Sequence, residues 1–572
     1  MFKTDGGLFM TGKATRPQNK GYGEAGASWT KKALKGFNAP SGSPQEDIDF
    51  NNYTMRQRAR MLYMAAPIAT SAIKTNRTNV VGVGLKLKSR IDREVLGLSP
   101  EQAEAWQKNA EREFNLWAED KRACDATGIN TFYGLQQLAL TSWLLSGDCI
   151  GVLKQYETDR FRPYSLRVQL IESDRVATPT EYGGLSATYY TTGKNPNNGN
   201  TIYDGVEVDK NGMAVAYHIR STYPFEVGTD TTKWARVLAY QEHTGLPNVV
   251  HVMESERPDQ YRGVSYLAQI IEPLLQLRRY TESELMAAVV ESFFTAFVTT
   301  EAPTDENPFN QVEEDAPYEP TGPNDYSMGP GQFNIMKPGE SITFADPKRP
   351  SGGFDKFVRA VAEQIGGAIE IPADLLLKSF NSSYSASRAA LLEAWKAFKM
   401  RREWLADDFC RPIYAVFMSE AIARGRIYAP GFFTDPAIRA AYLGSEWLGP
   451  SQGQLDPVKE ITAEILACSE GFSTHEQSTV RLNGGQWDSN VEQLLRENEK
   501  LGGQSPDTHQ TGGSTGQEPP PEEDEDGEGE PPDNNPHNPD NTRRLAPQAM
   551  RDLVLMEQIK HSIKGGQGSE KS

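Results

Sequence analysis

The sequence predicts an α+β fold on three observations. Apolar residues recur at helical spacing over 100–118 and again after Ser387. Short β-type runs alternate with Gly/Asn/Thr turns over 160–255, and a long helical stretch begins at Ser265. A chain of 572 residues has room for three or four packed units. The longest apolar stretch, "LMAAVVESFFTAFV" from Leu285, is short of a membrane span and carries Glu291, so none is predicted. The N-terminal "MFKTDGGLFMTGKATRPQNK" has no apolar core or cleavage site, so no secretory signal is expected. Cys124, Cys149, Cys410 and Cys468 form no C-x-x-C and read as reduced, mostly buried thiols of a protein made in a cytoplasm.

Net charge is −18, unevenly spread. Glu518 to Asp540 holds ten acids and no Lys or Arg, and 541–572 holds six bases against three acids, which leaves −11 on residues 1–517. Tight general binding to nucleic acid needs phosphate neutralisation, and an acidic body argues against it. Such a body is still compatible with nucleic acid sliding past.

Residues 1–45 lack periodicity and read as an extended or disordered arm. From Tyr53 a basic helix, a break at Pro67, a second helix and a Val/Gly strand follow. Ser99 is placed to cap a helix with Trp106, Ala110, Phe114 and Trp117 on one face. "INTFYGLQQLALTSWLLSGDCIGVLK" is a helix running into a strand, and 160–255 antiparallel sheet, which makes 46–260 one α+β unit. From Ser265 to Val298 nearly every residue favours helix except Pro273, which starts or kinks it; from Pro273 alone the helix would be roughly 39 Å long. Residues 301–336 hold eight acids and no Lys or Arg, and "GQFNIMKPGESITFADP" reads as two short strands about a Lys337–Glu340 turn. A helix with Phe354, Phe357, Val358, Val361 and Ile365 on one face comes next. After Ser387 a helix with Leu391, Trp395, Phe398 and Leu405 in one stripe continues or kinks at Pro412 and stops at Gly425. Residues 430–500 read as short helices between Pro/Gly turns. From Gly502 to about Asn541 the chain is low-complexity Gly, Pro and acid, hence disordered.

Reactive constellations are missing at sequence level. The serine-rich "LLLKSFNSSYSAS" has no Gly-x-Ser-x-Gly frame and no nearby histidine, so Ser382 and Ser383 read as loop or helix-cap residues. Two Ser-x-x-Lys pairs, Ser28–Lys31 and Ser71–Lys74, lack the companion motifs of a Ser/Lys hydrolase. His218, His243, His251, His475, His509, His537 and His561 give no metal spacing, and no cofactor or metal is expected. Gly82 and Gly84 lack the third glycine and following helix of a nucleotide loop. Arg56, Arg58 and Arg60 are candidate phosphate grips, against the plainer reading of a solvated helix face. Lys396, Lys399, Arg401 and Arg402 line the polar flank of the post-serine helix and equally suit neighbouring acids.

Six strings in fixed order carry a resemblance: "KTNRTNVVGVGLKL", "YRGVSYLAQIIEPLLQLRRYTESELMAA", "KPGESITFADPKRPSGGFDKFV", "SSYSASRAALLEAW", "LDPVKEITAEILACSEGFST" and "GGQWDSNVEQLLRENE". From about 50 to 500 the chain resembles the portal proteins of lambda-type tailed phages. It departs from their pattern at Tyr384-Ser385-Ala386-Ser387-Arg388, where the family more often has two serines directly after the tyrosine. The resemblance implies a non-enzymatic ring, usually of twelve subunits, at one capsid vertex. Double-stranded DNA would pass through its channel, driven by a separate terminase, and head-completion proteins, major capsid and scaffold proteins would be its other partners. It implies an arm at 1–45, a wing at 46–264, stem helices at 265–298 and 353–370, and a clip at 299–352. A tunnel loop at 371–386, a tunnel helix returning through the wing at 387–429, a crown at 430–500 and an acidic tail at 501–572 complete the division. Lys378, Ser379, Phe380, Asn381, Ser382, Ser383 and Tyr384 would face the channel, and Glu313, Glu314, Asp315, Lys337 and Glu340 of the clip would meet terminase and adaptors. Two rival readings stay open: a Ser/Lys hydrolase with Ser71 or Ser383 as nucleophile, and a monomeric adaptor that binds scaffold through its acidic tail.

Overall fold

The computed structural model describes residues 27–28, 31–37, 40–183, 192–224, 226, 232–292, 296–300, 340–344, 353–380, 383–453, 457–485 and 487–500. The chain divides into two compact units, Met1–Arg496 and Glu497–Ser572. Of the second, only residues 497–500 are described, the last turn of the helix Trp487–Lys500. The readings of the 1–26 part of the arm, of most of the acidic insert and of the tail from 501 lie outside the described residues.

The α+β class holds. The helices Phe50–Ala65 and Pro67–Val80 are separated at Pro67, which takes the first helical position, where its missing N–H costs nothing. The expected Val/Gly strand is instead a turn: Gly82 and Gly84 both take positive φ, and a Cβ at Gly84 would lie 2.5 Å from that of Tyr133. The strand is displaced to Lys86–Ser89 and pairs antiparallel with Ser445–Leu448, a strand within the stretch expected to hold only helices. Ser99 caps Pro100–Ala118 in a capping box with Gln102. Phe132–Ser146 runs into the strand Asp148–Gln155, as expected.

Two antiparallel sheets follow. Asp148–Gln155 lies between Leu166–Ile171 and Val249–Met253, and a five-stranded meander runs through Thr192–Lys194, Thr201–Tyr203, Val206–Val208, Ala214–Arg220 and Trp234–Leu238. Its first turn is tied by the side-chain amides of Asn195, Asn198 and Asn200, all donating to the buried Glu207 carboxylate. Arg236 and His218 complete that carboxylate's shell at 2.8 and 3.0 Å.

The long helix is shorter than expected, Ile271–Ser292, about 33 Å. Ala296–Thr300, rich in aromatic and β-branched residues, is a strand paired with Glu340–Phe344. The partner of 340–344 is therefore 296–300; residues 332–339 lie outside the described set. Tyr280 of the long helix stacks on Phe354 and Phe357 of the helix Phe354–Ala368. The final long helix runs from Tyr384 to Leu405, then a π turn Ala406–Cys410 and a second segment Arg411–Ala423. Pro412 sits in the first turn of that segment, and the chain leaves it through Gly425 at φ 72°.

A main core joins the helices to the three-stranded sheet, and the meander packs on the other side of that sheet's strands through a second cluster that includes Ile150, Val206 and Ile219. Phe114 makes edge contacts with Phe132, Tyr414, Phe417 and Trp447, so helices and a strand distant in sequence share one aromatic centre. Beside it lies a buried ionic cluster. Arg262, wholly buried, grips Asp148 at 2.6 and 3.3 Å and Asp204 at 2.7 Å, and donates to the carbonyls of Ser173 and Val176. Arg56 lies within 3.6–3.9 Å of Asp148, Asp174 and Asp204 and donates to the Ser146 carbonyl. Arg60 pairs with Asp174 and Glu172. Arg56 and Arg60 are thus structural, which overturns their phosphate-gripping reading.

Full burial alone would raise the Asp148 carboxyl, but Arg262 and Arg56 hold it well below the usual range. Asp49 behaves oppositely: burial, then Asp204, push it up to about 8. With Asp49 protonated, Arg56, Arg60 and Arg262 face the carboxylates of Asp148, Asp174 and Asp204, and Glu172 stands at the edge beside Arg60.

This balance can be tested from either side. Arg262→Met removes the closest partner of the buried Asp148, leaving Arg56 at 3.9 Å and His251 at 3.6 Å, and should cost about 3–5 kcal/mol, read by denaturant unfolding. Because the folded-state Asp49 pKa exceeds the unfolded one, its contribution is complete below about pH 4 and is lost as pH rises through about 8. Unfolding midpoints of the native chain should fall between pH 5 and pH 8, and Asp49→Asn should flatten that decline.

Candidate functional site

The serine-rich segment lies between two helices and is bent by backbone geometry. Helix Phe354–Ala368 ends with Ile369, and the chain turns back so sharply that a Cβ at Gly366 would lie 2.4 Å from the Ile371 carbonyl oxygen. Pro372 precedes a five-residue helix, Ala373–Leu377, within the stretch expected to be loop. Two non-glycine residues here take left-handed φ, Glu370 at 55° and Lys378 at 57°.

Each strained residue is held by its side chain. Arg401 donates to Glu370 at 2.5 Å and to Asn76 at 3.3 Å, with its guanidinium 4.8 Å over the Tyr266 ring. The Tyr266 hydroxyl donates to the Ile369 carbonyl. Lys378 Nζ donates to Thr75 Oγ1 at 2.8 Å, and partial burial lowers its pKa. Ser71 donates to the Leu376 carbonyl at 2.7 Å. Asp374 pairs with Arg359 at 2.9 Å, and its carbonyl accepts from the N–H groups of Lys378 and Ser379. Arg402 donates to the carbonyls of Asn79, Val80 and Pro450, and burial brings it down to about 10.

Of the seven loop residues singled out from sequence, Lys378, Ser379, Phe380 and Ser383 are described and lie together; Phe380 is 61% exposed. Asn381 and Ser382 lie outside the described residues, and Tyr384 is described only as the first residue of its helix. Ser383 is the N-cap, accepting from the Ala386 N–H at 3.4 Å. The helix therefore begins three residues before the expected Ser387. Glu313, Glu314, Asp315 and Lys337 lie outside the described residues, and Glu340 opens the strand opposite Thr300.

Sequence reasoning missed Ser71, Thr75, Asp374 and Arg359 as partners of this segment. A signal was present in the four-residue spacing of Ser71 and Thr75, which stacks both hydroxyls on one helix face. Among the described residues, no three His, Cys, Asp or Glu side chains are arranged to hold a metal ion. None of the described helices is long and apolar enough to cross a membrane. Ser383 provides a cap and Ser71 a tether, and the arrangement can present Lys378 and Phe380 on a short braced segment.

Comparison with known proteins places the chain in a family of phage structural proteins. The family model "Phage portal protein, lambda family" matches residues 30–402, more than half of the chain, which therefore belongs to that family. The portal protein of Escherichia phage N15 is 22% identical over 506 residues, covering 85% of this chain and 91% of the relative. Portal protein B of Escherichia phage lambda is 22% identical over 497 residues, covering 83% and 89%. A chain from the neck of a native gene transfer agent particle, computed with C12 symmetry, is 12% identical and covers 77% of this chain and 94% of its own. Its TM-score of 0.38 is too low to carry a fold assignment.

Ser383→Ala should cost about 1 kcal/mol through loss of the cap, read as faster amide exchange in residues 384–387. Ser71→Ala should instead loosen residues 376–379, at a comparable cost.

Proposed function

We propose that the chain assembles, in the host cytoplasm, into a ring at one vertex of a phage capsid. The ring provides the channel through which double-stranded DNA is packaged and ejected, and has no catalysis of its own. The observation that carries this reading is the portal-family match over residues 30–402, which runs through the braced 370–383 segment. The helices Ile271–Ser292 and Phe354–Ala368 act as stem, and the strands Ala296–Thr300 and Glu340–Phe344 belong to a clip at 299–352. The clip, with Glu313, Glu314, Asp315, Lys337 and Glu340, is the docking platform for terminase large subunit and then head-completion proteins. Residues 46–264 serve as wing, 387–429 as tunnel helix and its return, and 430–500 as crown.

Residues 371–386 act as the tunnel loop, with 378–384 facing the channel. A channel for sliding DNA works best when contacts are few and sequence-blind, since many phosphate contacts would hold the duplex. Lys378 repeated around a ring, of twelve copies by the family's usual count, supplies such contacts, and Phe380 brushes or braces. Support for a non-enzymatic role comes from the serines' structural use: Ser71 is committed to a carbonyl and Ser383 to a cap.

Purified protein viewed by negative stain should form rings; a homogeneous monomer under all assembly conditions would sink the proposal. Replacing residues 379–382 with two glycines should leave rings intact while DNA packaged or retained per particle falls several-fold. Normal packaging and retention by that variant would remove the loop's role.

A further inference from the structure

Between the helix Pro67–Val80 and residues 373–378 lies an open cleft of about 690 Å³. Its polar lining is Thr70, Ser71, Lys74, Thr75, Thr78, Asn79 and Lys378. Among the described residues no Asp or Glu lines it, in a chain with 77 acids against 59 Lys and Arg. On the helix, Ser71, Lys74, Thr75 and Thr78 stand three, four and seven residues apart, so they form one face. The Ser71–Lys74 pair, unremarkable as a catalytic motif, therefore places an ammonium beside hydroxyls on the wall opposite Lys378. Lys378 reaches across to Thr75 at 2.8 Å, a neutral partner that leaves its charge uncompensated by that contact.

We propose that this cleft binds the phosphodiester backbone of duplex DNA, with Lys74 and Lys378 as the charged contacts and Thr78 and Asn79 as neutral ones, while Ser71 and Thr75 hold the 376–378 wall in place. The inference rests on the channel reading above and extends its DNA contact from the loop onto a wing helix. Three features select this ligand chemistry. Lysines present compact point charges to phosphate oxygens, whereas the described lining has no arginine fork to favour a planar carboxylate. Lysine, threonine and asparagine are side chains that position a protein on phosphates without reading bases. The described lining also has no aromatic ring, so an unpaired base has nothing there to stack on, and the duplex backbone is favoured over single strands.

The test uses rings of the full-length chain and a fluorescein-labelled 30-base-pair duplex, with anisotropy read from about 50 to 200 mM NaCl. Lys74→Gln and Lys378→Gln, each checked for intact rings by negative stain, should weaken binding about tenfold at the lowest salt. Each should also make the log–log salt slope shallower by about 1 for every phosphate no longer neutralised. An unchanged slope in intact variant rings overturns the proposal, as does wild-type rings binding no duplex. Failure to form rings at all counts instead against the channel reading. Inorganic phosphate, at ionic strength matched with chloride, supplies the second arm. If phosphate raises the wild-type Tm but not that of the lysine variants, while the duplex slope is unchanged, the cleft takes free anion and the DNA proposal falls.

Discussion

The crossing of Gly147-Asp148 with Arg262-Gly263 is the constraint on which the rest of this structure depends. The two glycines approach so closely that a Cβ on Gly263 would lie 1.8 Å from the Gly147 carbonyl oxygen. Neither position tolerates a side chain, and that intimacy places Arg262 directly against Asp148, both fully buried. Asn52 donates to the Gly263 carbonyl, which draws the first helix into the same junction. The crossing thus joins the end of a helix, the central strand of a sheet, the five-stranded meander through Asp204, and the entry to the long helix. A buried pair of this kind contributes little net stability over an apolar substitute of equal shape. Its consequence is geometric: any other registry strands a charge, so the junction from which Ile271–Ser292 departs is set here.

The parts of the fold carried by local rules were legible in the sequence. Ser99 with Gln102, the stripe through Phe114 and Trp117, and the Asn-rich turn before Thr201 are each determined by neighbours within a few residues. Pairings between distant segments were not. Lys86–Ser89 is four residues long, and its Leu85-Lys86-Leu87-Lys88 alternation does not say which partner it takes; that is Ser445–Leu448, far along the chain. Likewise 296–300 reads as a helix continuation until Glu340–Phe344 is available as a partner. Charge raised a different difficulty. Arg56, Arg60, Arg401 and Arg402 look from sequence like a surface able to meet phosphates, yet Arg56 and Arg401 are 3% and 4% exposed. Periodicity reports which face a residue occupies, and a buried arginine with carboxylate and carbonyl partners shares that signature with a solvated one.

At the candidate site the position of the loop was legible and its mechanics were not. The serines that make "SFNSSYSAS" conspicuous are the least consequential chemically: Ser383 caps the start of a helix and Ser379 adds a backbone donor to Asp374. What shapes the segment is a pair of left-handed residues, each of which would ordinarily be glycine. Glycine at 370 or 378 would relieve strain but forfeit the hydrogen bonds that Glu370 makes with Arg401 and Lys378 with Thr75. The side chain is therefore retained for what it reaches, and the segment is rigid at both bends for that reason.

Rigid bends matter because of the electrostatic setting. A body that keeps about −11 over residues 1–517 repels a polyanion at long range, and screening confines that repulsion to roughly 10 Å at moderate salt. Within that distance, local charges decide. A cleft whose described lining has two lysines and no carboxylate is then a short-range attraction set in a repulsive surround. Such an arrangement suits transient contact: the surround discourages a duplex from spreading over the protein, while two point charges hold a phosphate too weakly to arrest it. Attraction of that range works only if the ammonium groups stay where they are as the duplex moves. Holding Lys378 through a left-handed bend and the Thr75 hydroxyl, with Leu376 tethered by Ser71 one turn away on the same helix, meets that requirement.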